Sequence, residues 1–502
     1  MSLMGVDVGT TGCKVVVFDH SGTVLAQAAR EYPLLSPQPG WYELDPEQVW
    51  AFVCDCLREV NAQLKKDPVS ALALSSQGEA MIPIARDGSV MANSPVSSDR
   101  RNASQTALLE AALGAERIYA ITGQPMDTIY TVPKVLWWRD HMPHLLDDSW
   151  KILCYVDFVA HRLGAEPAID YSMAARTLAF DVHRLDWSDE LLAAGGLRRE
   201  QLATPVPSGT IIGEIPRRLA DDLGFGAAVT VVTGGHDQPA GALGAGVLAP
   251  GRAMLSIGTT EAMVAVTDAP RPEMLACHLS CYPHAAPGSF IALSGNQTGG
   301  RLLRWYRDEL AAAERAEATS SGRDVYDVIV EQIADAPGDL LLLPYFVGSG
   351  TLYSDATATG ALLGLSFDSK RADIVRAILE GLSFEQALGL RKLKEIGVEI
   401  NELTAVGGGA RSQRWMQMKA DICGIPVSAL HTSEAASLGA AMLAGWATGV
   451  YASLHEAAEQ LIRVRKTFTP RQDRAKQYGR QLTRYTQLYE ALRPLYQAMA
   501  RD

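Results

Sequence analysis

The feature that most constrains how this chain can fold is a hairpin that occurs twice. Residues 4–18 read MGVDVGTTGCKVVVF: an apolar strand, a tight turn at Gly9, Thr10 and Thr11, and a second apolar strand. About 250 residues later, residues 252–266 read RAMLSIGTTEAMVAV, with the same turn at Gly258, Thr259 and Thr260. Backbone amides and hydroxyls in such turns can face phosphate oxygens, although a plain hairpin turn explains either copy taken alone. Asp7, at the end of the first strand, is placed to hold a hydrated Mg²⁺. Two copies, one opening each half, imply a duplicated α/β chain. The boundary is expected near residues 245–251, at Ala249-Pro250-Gly251, which gives halves of 1–246 and 247–502. Met1-Ser2-Leu3 ahead of Met4 reads as a scar outside the fold.

A duplicated pair of α/β domains resembles the actin-like ATPase (ribonuclease H-like) fold, in which nucleotide lies in the cleft between the two domains. The length of 502 residues allows two substantial cores, and 47% hydrophobic with 20% charged residues is ordinary for a globular enzyme. A net charge of −12 argues against general nucleic-acid binding. Seven scattered cysteines show no paired zinc spacing and are expected to be reduced. No apolar run reaches the roughly 18 residues of a membrane span, and no signal peptide precedes the first strand. A cytoplasmic location with no membrane partner is expected.

Candidate site residues gather at predicted strand ends, where ligands of α/β sheets bind. The strand 69–75 runs into Gln77-Gly78-Glu79, and a polar cluster including Asp99 follows. The strand 229–233 ends in Gly234-Gly235-His236-Asp237, with a small-residue helix beginning near Gln238. Asp237 there is either a helix cap ahead of Pro239 or a carboxylate held ionised by the helix N-terminus, and both can hold at once. His236 reads as a packed or hydrogen-bonding neighbour. The strand 403–406 enters Gly407-Gly408-Gly409, followed by a helix over 413–423. Glycines after a strand bring bare backbone and a helix N-terminus to a ligand, or serve only a tight turn.

These stretches together carry a resemblance. GGGARSxxWxQxxADIxGIPV, at 407–427, is similar to the adenosine-binding segment of the FGGY family of carbohydrate kinases. Residues 360–380 match that family's second signature at Gly360, Leu362, Gly364, Leu365, Asp373, Ile374, Ala377, Ile378, Leu379 and Glu380. Residues 130–138 match the first signature loosely, through Thr131, Lys134 and Trp137. The resemblance implies an ATP-dependent kinase acting on a small sugar or polyol. Asp237 would be the catalytic base, and Asp7 would place Mg²⁺ with Asp237 contributing through water. It implies phosphate contacts from Gly9, Thr10, Thr11, Lys14, Gly258, Thr259 and Thr260. Gly408, Gly409, Ala410 and Ser412 would belong to the adenosine site. Gln77, Glu79, Asp99, Asp237 and Gln238 would bind the acceptor. Gln77-Gly78-Glu79 agrees fully neither with the Gln-Met-His of xylulose-type members nor with the Gln-Arg-Glu of glycerol-type members. A ketopentose such as D-xylulose is the expected acceptor, with glycerol or another polyol as the alternative. A non-catalytic nucleotide-binding regulator or a polyphosphate hydrolase on the same fold are readings from other classes.

Two stretches are left to local pattern. Residues 311–325 read as loop, and the helix from about 473 to 500 carries Tyr478, Leu482, Tyr485, Tyr489 and Leu492 at four-and-three spacing. That stripe is expected to face the core rather than an oligomer seam, and a homodimer stays open.

Overall fold

A computed structural model describes residues 1–64 and 66–500; Lys65, Arg501 and Asp502 lie outside the described residues. The first half builds a six-stranded sheet from β1 (Ser2–Val8), β2 (Gly12–Phe18), β3 (Val24–Glu31), β4 (Val69–Ser76), β5 (Ile211–Glu214) and β6 (Thr230–His236). Its order is β5-β6-β4-β1-β2-β3. The second half builds a seven-stranded sheet from β7 (Gly251–Ile257), β8 (Glu261–Thr267), β9 (Ser280–Pro283), β10 (Phe290–Asn296), β11 (Ile400–Val406), β12 (Val427–Leu430) and β13 (Val464–Phe468). Its order is β9-β10-β8-β7-β11-β12-β13.

The duplication read from the hairpins extends through both sheets. In each, an antiparallel meander (β1-β2-β3, or β7-β8-β10) is continued by two parallel strands (β4 and β6, or β11 and β12) and an antiparallel edge strand (β5, or β13). Among the described strands of the two sheets, only β9 has no counterpart. The parallel strands are apolar along their length because helices cover both faces: β4, VSALALSS, is buried at seven of its eight positions.

The helices that position the site are α1 (Pro46–Gln63), α2 (Thr131–His141), α3 (Asp237–Gly244), α4 (Arg371–Glu395), α5 (Gln413–Cys423), α6 (Ala435–Ala447) and α7 (Gln472–Met499). Asp45 caps α1 by accepting the Glu47 amide at 2.9 Å, ahead of Pro46 at the first helical position. Helices α3 and α6 occupy equivalent places after β6 and β12, and they pack on each other. A Cβ on Gly244 would overlap the Ala435 carbonyl, and one on Gly439 the Ala240 carbonyl. Only small residues let the two backbones approach so closely, which is why Gly244, Ala240, Ala435 and Gly439 stand where the helices meet.

Packing does not follow the chain division at 246. Helix α6 lies across the first sheet, and Leu438, Ala440, Ala441 and Leu443 share a core cluster with Leu3, Val16, Phe18, Ala71 and Val232. Two sequence expectations need correction here, and a third holds. Ser2 and Leu3 do not lie outside the fold: both are buried in β1, and Leu3 pairs with Phe18. Residues 311–325 contain a helix, Ala312–Ser321, which begins without a side-chain cap and so left no start signal. The C-terminal stripe does face inward, with Tyr478, Leu482, Tyr485 and Tyr489 buried; the exposed large apolar side chains include Leu363, Leu365 and Phe367 instead.

Candidate active site

Two carboxylates stand at the strand ends of the first sheet. Asp7, near the end of β1, accepts a 2.8 Å hydrogen bond from Ser75 Oγ on β4. Burial pushes its pKa up to about 6; the Ser75 bond and Lys14 pull it down, and Glu434 pushes it up. Asp237 opens α3 as its first residue, and His236 occupies the cap position. The Asp237 side chain is 31% exposed, while its Oδ1 is buried without an aligned hydrogen bond among the described residues. The helix N-terminus was reason to expect an ionised carboxylate, but burial, then the nearby charges of Asp7 and Glu79, work the other way and push it up to about 7.

His236 is 5% exposed and holds a fixed place beside Asp237. Its Nδ1 lies 2.9 Å from the Tyr282 hydroxyl, and its Nε2 is 3.1 Å from Asp237 Oδ1. Burial, reinforced by the Arg176 charge, holds its pKa well below the ordinary value, so the ring is neutral near pH 7. Gly78 makes room for it, since a Cβ there would stand 3.0 Å from Nε2.

The acceptor-side residues have different fates. Glu79 is buried with a backbone φ of 65°, held by the Thr131 hydroxyl, which donates to its carbonyl at 3.0 Å. Glu79 Oε1 is bound by Arg176, whose Nε lies at 2.6 Å, and Oε2 takes no hydrogen bond among the described residues. Gln238 Oε1, next to Asp237, is buried and has no hydrogen-bond partner among the described residues. Gln77 does not present a free amide: Thr10 Oγ donates to its Oε1 at 2.9 Å, and its Nε2 donates to the Gly9 carbonyl at 3.3 Å. It braces the first hairpin. Asp99 is fully buried, with both oxygens bound by Arg101 and Oδ2 also by the Tyr42 amide at 2.7 Å. A saturated carboxylate has no lone pair left for a ligand, so the expected acceptor contact is corrected to an anchor for Arg101. That arginine lies 4.1 Å from the Trp41 ring centre and 5.2 Å from that of Trp137.

Both Gly-Thr-Thr turns are open. Thr11, Gly258, Thr259 and Thr260 are exposed, with Gly9 and Thr10 half-buried. The second turn is fixed from behind by the amides of Gly300 and Arg301, which donate to the carbonyls of Gly258 and Thr259 at 2.8 and 3.2 Å. Lys14 is not a free cation: its Nζ reaches 2.6 Å to Glu434 at the start of α6, bridging the two halves.

The glycine turn after β11 divides its labour. Gly407 has φ of 87° and lies against the Ile257 carbonyl, so only glycine fits. A Cβ on Gly409 would overlap the Ile257 side chain, so that glycine serves packing within the second half. Ala410 is buried in the core, its carbonyl accepting from Arg465 at 2.9 Å, and Ser412 caps α5 through the Trp415 amide. Of the three glycines, Gly408 alone has open space where a side chain would be. The broader expectation for Gly409, Ala410 and Ser412 narrows accordingly.

Residue reasoning missed Arg176, Lys134, Glu434 and Tyr282 as parts of this site. Lys134 is buried, donates to the Ile129 carbonyl at 2.6 Å, and is pulled down to about 8 by burial against the opposing charges of Glu79 and Asp99. Thr131 and Lys134 were legible only as signature positions. Tyr282 sits in a four-residue strand, SCYP, too short for a periodic signal.

Duplicated α/β halves, each opened by a Gly-Thr-Thr turn, with carboxylates at the strand ends of the first, define a two-domain kinase of the actin-like ATPase fold. Family models agree across the chain: the FGGY family of carbohydrate kinases, N-terminal domain, matches residues 2–244, and its C-terminal domain matches residues 253–448. The chain belongs to the FGGY family of carbohydrate kinases and is a phosphotransferase. It is 32% identical to a xylulose kinase of Escherichia coli K12 over 98% of this chain and 99% of that one. It is 29% identical to an autoinducer-2 kinase of Escherichia coli SMS-3-5, covering 97% and 94%. A crystal structure described as a xyloylose kinase from Brucella ovis superposes with a TM-score of 0.87 at 27% identity, covering 99% and 100% of the two chains. No helix among the described residues is long and apolar enough to cross a membrane.

Proposed function

We propose that this kinase transfers the γ-phosphoryl group of ATP to a hydroxyl of a ketopentose such as D-xylulose. The observation that carries the reading is Asp237: a partly exposed carboxylate at a strand end, with a proton affinity near neutrality. A general base works best when its pKa lies near the operating pH. As the acceptor oxygen bonds to the γ-phosphorus and ADP leaves, the hydroxyl proton passes to the Asp237 carboxylate. Glu79 Oε2 and Gln238 Oε1 offer acceptor lone pairs to the remaining hydroxyls.

ATP would lie between the two Gly-Thr-Thr turns, with its phosphates on the amides and hydroxyls of Gly9–Thr11 and Gly258–Thr260 and its adenine over Gly408. Asp7 and Asp237 fit a Mg²⁺ ion: both are oxygen-only ligands, each with an elevated proton affinity, and Asp237 Oδ1 is a buried acceptor without an aligned donor. Mg²⁺ bound there would neutralise phosphate charge. Lys14 would keep Glu434 at the phosphate end of the cleft.

Sequence likeness to xylulose kinase favours the ketopentose, and Glu79 at the glycerol-type position is the observation behind the polyol alternative. ADP release measured across ketopentoses, glycerol and phosphorylation-blocked deoxy analogues separates them. Asp237→Asn should cut kcat by about 10²–10⁴-fold with the KM for ATP little changed. Near-normal kcat in that variant would reduce Asp237 to a structural residue, and ADP release independent of any acceptor would point to a hydrolase.

A further inference from the structure

Strand β9 belongs to the second sheet yet is bound to the first half. The Cys281 amide donates to the Gly123 carbonyl at 2.7 Å, and the Tyr119 hydroxyl donates to the Leu279 carbonyl at 3.0 Å. A Cβ on Gly123, whose φ is 65°, would overlap the Cys281 carbonyl, so glycine is what permits the docking. Ser280 and Tyr282, two residues apart, project to one side of the strand. Ser280 Oγ lies 3.5 Å from Arg176 Nη1, the residue that holds Glu79, and Tyr282 lies 2.9 Å from His236 Nδ1. Alternate residues of one edge strand thus touch the partners of both acceptor-side carboxylates.

The hydrogen-bond inventory fixes which way this chain of contacts runs. A neutral imidazole has one N–H, and an ionised carboxylate only accepts. With Asp237 in the ionised form that acts as a base, Nε2 can face Oδ1 only as the N–H, leaving Nδ1 to accept from the Tyr282 hydroxyl. Without that hydroxyl the ring is free to take the other tautomer, which would set the Nε2 lone pair against the carboxylate. At 3.1 Å the Nε2–Oδ1 contact is close but not aligned, and contacts of this kind tighten when the acceptor binds.

We propose that Tyr282 is a positioning residue for phosphoryl transfer: through His236 it orients the Asp237 carboxylate, so a strand of the second half sets the base of the first. The proposal rests on reading Asp237 as the base. Tyr282→Phe removes only the hydroxyl and keeps the ring that packs 5.9 Å from His236. It should lower kcat about 10–100-fold, the scale of a misplaced reacting group, while the KM for ATP and the melting temperature stay near wild type. His236→Gln keeps an amide donor close to the Nε2 position, should retain most of kcat, and should make Tyr282→Phe silent. His236→Leu should lose as much as Tyr282→Phe, and the double variant no more than either single one. Unchanged kcat in Tyr282→Phe, or losses that multiply in the double variant, would overturn the relay. Asp237→Asn separates the two claims: if it is inactive while Tyr282→Phe is normal, only the relay fails, whereas a normal Asp237→Asn removes the base reading on which the relay depends.

Discussion

Glu79→Gln tests whether the acceptor floor is held by a buried ion pair. Glu79 and Arg176 are 3% and 4% exposed, so neither charge has water to return to when the other is removed. Breaking such a pair from one side typically costs ~3–5 kcal/mol, because the survivor is left buried and uncompensated. Two features pull toward the low end. Arg176 keeps its 3.0 Å bond to Gln124 Oε1 and lies 5.1 and 5.3 Å from the ring centres of Tyr130 and Tyr282, and glutamine retains an acceptor oxygen. A loss of about 3 kcal/mol, at about 2–4 °C per kcal/mol for a domain of this size, lowers the melting temperature by roughly 6–12 °C. Differential scanning calorimetry of Glu79→Gln, Arg176→Gln and the double variant gives the coupling. The double variant should be more stable than the sum of the single losses predicts, by about 0.5–3 kcal/mol. Strictly additive losses, or a shift under about 2 °C for Glu79→Gln, would refute the pair as a stabilising contact. Acceptor kinetics, run well below the lowered transition, then read Oε2 separately. If it binds acceptor hydroxyls, Glu79→Gln narrows the kcat/KM ratio between the acceptor and its deoxy analogue. An unchanged ratio would confine Glu79 to anchoring Arg176.

Two further perturbations address other parts of the molecule. Gly408→Val should raise the KM for ATP without lowering the melting temperature, because the space above Gly408 is open, whereas Gly409→Val should destabilise the second half by about 1–3 kcal/mol through overlap with Ile257; the opposite pattern in nucleotide titration and thermal denaturation would refute the division. Glu385, buried and bonded to the Tyr485 and Tyr345 hydroxyls, is pushed by burial from 4.5 up to about 7. Because the folded state then holds the proton more tightly than the unfolded one, its contribution is most favourable below about pH 4.5 and is lost as pH rises through about 7, by an amount on the order of 3 kcal/mol. Glu385→Gln should therefore melt progressively higher relative to wild type as pH goes from 5 to 8, and a constant offset would contradict the shift.

The sequence by itself determined the architecture and its symmetry. Hairpin turns, strand apolarity and helix starts are local: Gly-Thr-Thr between apolar runs, Asp45-Pro46, and Ser412 before Gln413 each act within a few residues, so they can be read without knowing the rest. For the same reason Asp7 and Asp237 were placed at strand ends from the pattern alone. What a side chain does once there depends on partners far away in the chain, and only the tertiary structure decided that. Asp99 looked available until Arg101 and the Tyr42 amide filled it, and Gln77 until the first hairpin took its amide. Arg176, 97 residues from Glu79, and Tyr282, 46 residues from His236, carry no local mark of those roles. Helix α6 belongs by sequence to the second half but lies on the first sheet, because its small residues complement Gly5, Ala240 and Gly244. Local chemistry selects the elements, while long-range complementarity between the two halves decides which polar groups remain free to bind a substrate.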